Sequence, residues 1–248
     1  MKTKTYGSIK YSTVGAPASV LAGGICENYN YKKQVQTTEV QGEDGALVAA
    51  VLHGEKGEIS FSVTPAGSVT ALVARAGAEL TVTGISTGKV IVHQASAKWQ
   101  RGNPMTMDIA ASHYGAISET AVGSITPEAL ALSQTEAALV LPTGKVWFGT
   151  NGITGAVEGI VQSVSLSESV QIAEEEDNTG AIVALAVHSY KATASMEILT
   201  SVALSEITLG GTLDIFGSFN ITSADEKFSK NGVHTISVEG ILIPGVTA

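Results

Sequence analysis

Apolar and polar residues alternate along most of this chain. Ile160, Val164, Leu166, Val170 and Ile172 share one parity. So do Leu213, Ile215, Phe219 and Ile221, as well as Ile59, Phe61 and Val63, and Met105, Met107 and Ile109. A period of two marks strands with one face on a core and the other on water or a neighbour. Glycine punctuates these runs, as it does in all-β domains built of short strands. Helical signals are few. Thr126-Pro127-Glu128 offers a cap, a first-turn proline and an acidic residue at the positive helix end, which predicts a helix over 127–138. The apolar segments Ser68–Ala76 and Thr200–Leu209 are second candidates for short helices on the sheet.

The pattern occurs twice. Gly24–Val63 aligns without a gap over Gly159–Ile198 at a constant offset of 135, and twelve of the forty positions are identical. Val35/Val170, Glu39/Glu174, Gly45/Gly180, His53/His188 and Lys56/Lys191 are among them. The match extends with small shifts: Gly77, Leu80 and Val82 lie over Gly210, Leu213 and Ile215, and Lys98-Trp99 over Lys227-Phe228. Self-similarity of this kind predicts a duplicated structural unit. The expected organisation is a first β domain over 1–111 with an N-terminal arm, a linker over 112–143, and a second β domain over 144–248. Each domain is expected to be a small sandwich or barrel of six to eight strands, with at most a short flanking helix.

Composition then narrows the function. The 248 residues include one cysteine, which excludes an internal disulfide framework and a cysteine-based zinc site. Charged residues are only 15% and aromatics 5%. No run approaches the ~20 apolar residues of a membrane helix. The start, Met1–Gly7, has no apolar stretch behind its basic residues, so no secretory signal is expected. The net charge of −9 argues against binding nucleic acid by phosphate neutralisation. That charge is uneven: residues 1–143 hold 10 basic and 11 acidic groups, residues 144–248 hold 4 and 12.

Catalytic constellations are not apparent, and no enzyme activity, metal or cofactor is expected. The five histidines have no helical metal-site spacing. Cys26, in a strand-like region, is expected to fill core space. Ser86-Thr87-Gly88-Lys89 spells a Ser-x-x-Lys motif, but Gly88 and the apolar run behind it predict a turn into a strand rather than the helix that chemistry needs. The acidic run Glu174, Glu175, Glu176 and Asp177 lacks the alternating ligand spacing of a calcium loop. It aligns with Glu39, Glu43 and Asp44, and both groups are expected at the tips of long hairpins, as solvated or intersubunit loops.

Together the paired hairpins around Glu39–Gly45 and Glu174–Gly180, and the closing segments Lys98–Gly102, Lys227–Gly232 and Ile236–Gly240, resemble the tail tube proteins of long-tailed bacteriophages. The resemblance implies a structural virion protein, assembled in the host cytoplasm, whose subunits join sheet edges into rings. The rings stack into a hollow tube that conducts the genome without binding it specifically, and other tail proteins are its partners. Family subunits usually have a single domain, so a fused pair would close a pseudo-sixfold ring as a trimer. An acidic wall would let DNA slide. In this frame Glu39, Glu43, Asp44, Glu174, Glu175, Glu176 and Asp177 are candidates for contacts between rings. Lys32 and Lys33 align with Ser167 and Glu168, so Lys32, Lys33 and Glu168 are candidates for charge matching around the ring. The alternatives are another assembling virion part, such as a capsid decoration or baseplate protein, and a carbohydrate-binding β-sandwich module.

Overall fold

The computed structural model describes residues 24–65, 74–82, 84–100, 103, 105–123, 159–200, 203–214, 218–229 and 234–242. Among them nine strands form one antiparallel sheet: β1 (Gly24–Gln41), β2 (Leu47–Pro65), β3 (Lys89–Gln100), β4 (Thr106–Tyr114), β5 (Gly159–Glu176), β6 (Ile182–Thr200), β7 (Thr212–Asp214), β8 (Ser218–Phe228) and β9 (His234–Leu242). Their spatial order is β1-β2-β4-β3-β5-β6-β9-β8-β7. Strands dominate because the alternation holds: Ile59, Phe61, Val63, Leu166, Met196 and Ile198 are all buried, while their neighbours in sequence mostly face outward. One apolar core runs through both halves of the chain.

Two small sandwiches or barrels in tandem are expected; the described strands of both halves lie in one antiparallel sheet, joined by β3 against β5. Side-chain parity sets which face of a strand is buried. It does not say whose edge the strand will meet. The helix expected over 127–138 lies outside the described residues. Of Ser68–Ala76 only residues 74–76 are described, and they enter a turn closed by the Ala78 amide on the Arg75 carbonyl at 3.1 Å. Within Thr200–Leu209 the only described helical piece is a 3₁₀ turn at Leu204–Glu206. β4 runs to Tyr114, three residues beyond the expected domain limit at 111.

The two halves share fine detail. β1 and β5 are both 18 residues long, and β2 and β6 both 19. The β1–β2 ladder shifts register at Cys26/Asn28, Gln34/Gln36 and Val40/Gln41, and the β5–β6 ladder at Val161/Ser163, Ser169/Gln171 and Glu175/Glu176, each 135 residues further on. Likewise β3–β4 is bulged at Val92/Gln94 and β8–β9 at Ile221/Ser223, 129 residues apart. Bulges bend and twist a strand locally, so equal bulge positions impose equal shape.

Both long hairpins end in the same turn. Gly42 accepts from the Gly45 amide at 2.9 Å, and Asp177 from the Gly180 amide at 3.0 Å. Gly45 and Gly180 both sit at left-handed φ, 77° and 79°. A three-residue loop closed by such a glycine matches the natural twist of a hairpin. Asp44 and Asp177 lie in these turns, where the Asp44 carboxylate accepts from the Ala46 amide and the Asp177 carboxylate from the Thr179 and Ala181 amides.

Candidate functional site

In most of this sheet an edge meets its sequence neighbour. At one place it joins the first half of the chain to the second. β3 pairs with β5 from Gln94↔Ser169 to Gln100↔Ser163. Around this ladder the halves interlock through three sets of contacts.

The first set is apolar. Trp99 stands opposite Val164, and Ala97 opposite Leu166. Trp99 is only 3% exposed, since the β5 edge covers it.

The second set is ionic. Glu168 lies on the buried stripe of β5 and is fully buried. A carboxylate there needs a partner, since an unpaired buried charge is strongly unfavourable. Arg75, in the turn before β3, supplies it. Its Nε stands 2.7 and 2.8 Å from the two carboxylate oxygens, and Nη2 is 2.6 Å from Oε1. The Tyr190 hydroxyl donates to Oε1 at 3.0 Å, and the Ala76 amide to Oε2 at 3.3 Å. Burial alone would lower the Arg75 guanidinium, but the carboxylate against it holds it above its ordinary value. Burial, with the neighbouring Glu168 charge, pushes the Tyr190 hydroxyl up to about 12.

The third set lies further out, where the β5–β6 hairpin tip rests on β2. The Gly54 amide donates to the Gly180 carbonyl at 2.8 Å. A Cβ on Gly180 would stand 2.6 Å from the His53 Cβ, so glycine is required both by the turn and by the close approach. Lys56 donates to Glu174 at 3.0 Å, Tyr114 donates to the same carboxylate at 2.8 Å, and His53 Nδ1 is 3.2 Å from Glu176. Burial and the bond to Glu174 both hold the Tyr114 hydroxyl well above its usual range. Tyr114 and Ile117 pack on Ile182 beneath this contact.

The candidates from sequence thus divide. Glu174 and Glu176 reach across to the first half, and Glu168 is buried between the halves. Glu39, Glu43, Asp44, Glu175 and Asp177 are exposed. Lys32 and Lys33 lie exposed on β1, the edge strand of the sheet, with Lys33 3.8 Å from Glu55. Arg75, Tyr190, Lys56 and Trp99 were not singled out as site residues. A charge at Glu168 on an otherwise apolar parity was the one signal that a cation had to lie nearby, and Arg75 is the one basic residue in the apolar stretch Ser68–Ala76.

The other residues singled out from the sequence make local contacts. Cys26 is buried, its sulfur 3.3 Å from the Asn28 carbonyl, and burial pushes its thiol up. His53 is 2.9 Å from the Thr38 hydroxyl, and His188 bonds Ser189 at 2.8 Å. Ser86, Thr87 and Gly88 form a bend into β3, and Lys89 is paired with Glu79 at 2.8 Å. Among the described residues no group of three or more His, Cys, Asp and Glu side chains is placed to hold a metal ion. Compared with known proteins, the chain matches no family model and no curated sequence at a significant level.

Proposed function

We propose that this chain is a building block that polymerises through its sheet edges, forming stacked rings that make the hollow tail tube of a bacteriophage. One observation carries the reading. The β3–β5 junction joins the last edge of one half to the first edge of a half with the same bulges, head to tail. The corresponding outer edges, of β1 and of the 223–228 stretch of β8, have no second strand beside them among the described residues. A heterologous contact that repeats closes into a ring if its rotation divides a full turn, and continues as a filament otherwise. The shared detail of the halves supports a tandem duplication, and six such units would close a ring from three chains. The long edge β1 is the kind of feature soluble monomers usually block, because it invites pairing. The low charged fraction and the excess acid of the second half suit a lumen wall that repels phosphate.

Negative-stain microscopy of the purified protein tests this. Hollow tubes or rings with threefold or pseudo-sixfold symmetry are the expected outcome. A monodisperse monomer at high concentration would refute the reading. Discrete particles that bind only capsids would favour a decoration protein.

A further inference from the structure

The internal junction is a template for the contact between copies. The bulges give the correspondence: positions on β3 map to β8 by adding 129, and positions on β5 map to β1 by subtracting 135. The Glu79↔Ile91 bridge beside β3 recurs as Thr212↔Asn220 beside β8, so the same stretch of edge lies past the bridge in both places, taken by β5 in one and without a second strand among the described residues in the other. From this geometry, and resting on the building-block reading above, we infer that β8 of one copy pairs antiparallel with β1 of a second copy in one register. Ser223 lies opposite Gln34, Asp225 opposite Lys32, Lys227 opposite Asn30, and Phe228 opposite Tyr29.

Three independent observations fit that register. Phe228 is 73% exposed, whereas its counterpart Trp99 is buried by the β5 edge. A large exposed aromatic on a free edge is what an uncovered junction leaves behind. Next, Asp225 meets Lys32, a complementary pair on directly opposed positions. Finally, Lys56 and Glu174, which bridge the halves, have identical counterparts in Lys191 and Glu39. Both counterparts are exposed. The template puts Lys191 of one copy against Glu39 of the next.

The two junctions also differ in a way that sorts them. Inside the chain the first half presents Arg75 to an acid, Glu168, on the second. Between copies the second half presents Asp225, 3.4 Å from its own Lys227, to Lys32, with Glu226, 2.7 Å from its own His234, diagonal to Lys33. Joining first half to first half would set Arg75 against Lys33. Joining second to second would set Asp225 and Glu226 against Glu168. Like charges in either wrong pairing penalise it, which favours strict alternation.

The test uses the full chain with Cys26→Ala. Asn30→Cys with Lys227→Cys places cysteines at directly opposed positions, where Cα atoms about 4.5–5.5 Å apart fall within disulfide reach. Oxidation should give a ladder of covalent multimers on a non-reducing gel. Asn28→Cys with Asp225→Cys, four residues out of register, should give none. In parallel, Lys191→Glu and Glu39→Lys should each cut the sedimentable assembly about tenfold, and the double variant should recover it, as expected for a charge pair across an interface. Tubes that form without the ladder, or with the out-of-register ladder, overturn this register and leave the building-block reading standing. A ladder without rings or tubes upholds the junction and overturns the tube. Neither tubes nor ladder overturns both.

Discussion

The two long hairpins have the same length, the same three bulges and the same turn, yet they live in different surroundings. On the β5–β6 hairpin Val170 is 8% exposed and Ile182 2%. Their counterparts on β1–β2, Val35 and Leu47, are 46% and 57% exposed. Val40, Val48, Val51 and Leu52 on the same arm are exposed too. The Gly180 turn is pressed against His53, while a Cβ on Gly45 would meet nothing within 4 Å. What differs is the neighbour. The first half of the chain covers the second hairpin, and no described residue covers the first in the same way. One sequence pattern therefore serves as core in one place and as open surface in the other, and exposure, more than pattern, tells the two apart.

Breaking corresponding positions in the isolated chain exposes that contrast. The largest effect is expected for Trp99→Ala, about 3–5 kcal/mol of lost stability in urea unfolding, against about 0.5 kcal/mol or less for Phe228→Ala. Equal losses would mean that the β8 edge is already covered within one chain. Glu168→Gln follows, at about 3 kcal/mol, because it leaves Arg75 without its charge partner, while Lys33→Gln stays within about 0.5 kcal/mol. Ile182→Ala should cost about 2 kcal/mol or more and Leu47→Ala close to nothing, both read from thermal unfolding.

Titration sharpens the junction further. The Tyr190 hydroxyl rises from 10.0 to about 12 on folding, so the folded chain holds this proton more tightly than the unfolded chain. Its contribution is complete below pH 10 and is lost as pH climbs toward 12. Tyr190→Phe should flatten that alkaline loss of stability; an unchanged slope would remove Tyr190 as its source. The smallest effect concerns Ser189, which holds φ at 56° where its counterpart Gly54 holds 63°. Ser189→Gly should stabilise the chain by up to about 1 kcal/mol, because a Cβ is disfavoured there.

Much of the fold is legible in the sequence, but only as far as side chains carry the signal. The alternation through Ile59, Phe61 and Val63 and through Val164 and Leu166 marks strands and their buried faces. The offset of 135 anticipates the bulges. Strand pairing runs through backbone groups that every residue has, so nothing in Lys98-Trp99-Gln100 announces β5 as its neighbour, and two separate sandwiches or barrels were the natural expectation. Glu168 reads from the sequence as a charge for matching around a ring, whereas in the structure it is buried between the halves. Arg75 as its partner is not legible, because the two lie 93 positions apart in the chain. The acidic tips were read as one kind of loop. They divide because the Glu174 tip has a surface to dock on, whereas the Glu39 tip has none among the described residues.

The complete burial of Glu168 has a consequence for the order of events. Stripping water from a carboxylate and a guanidinium is slow to be repaid when two freely diffusing partners must do it together, since association also forfeits their translational freedom. Here both groups belong to one chain, so the carboxylate is dehydrated during folding, at the high effective concentration that a covalent tether provides. Under the proposed assembly, the exposed lysines and aspartate of the outer edges would be left with the easier step. The costly seam would then be permanent and made at birth, and the one between copies milder and open to being remade.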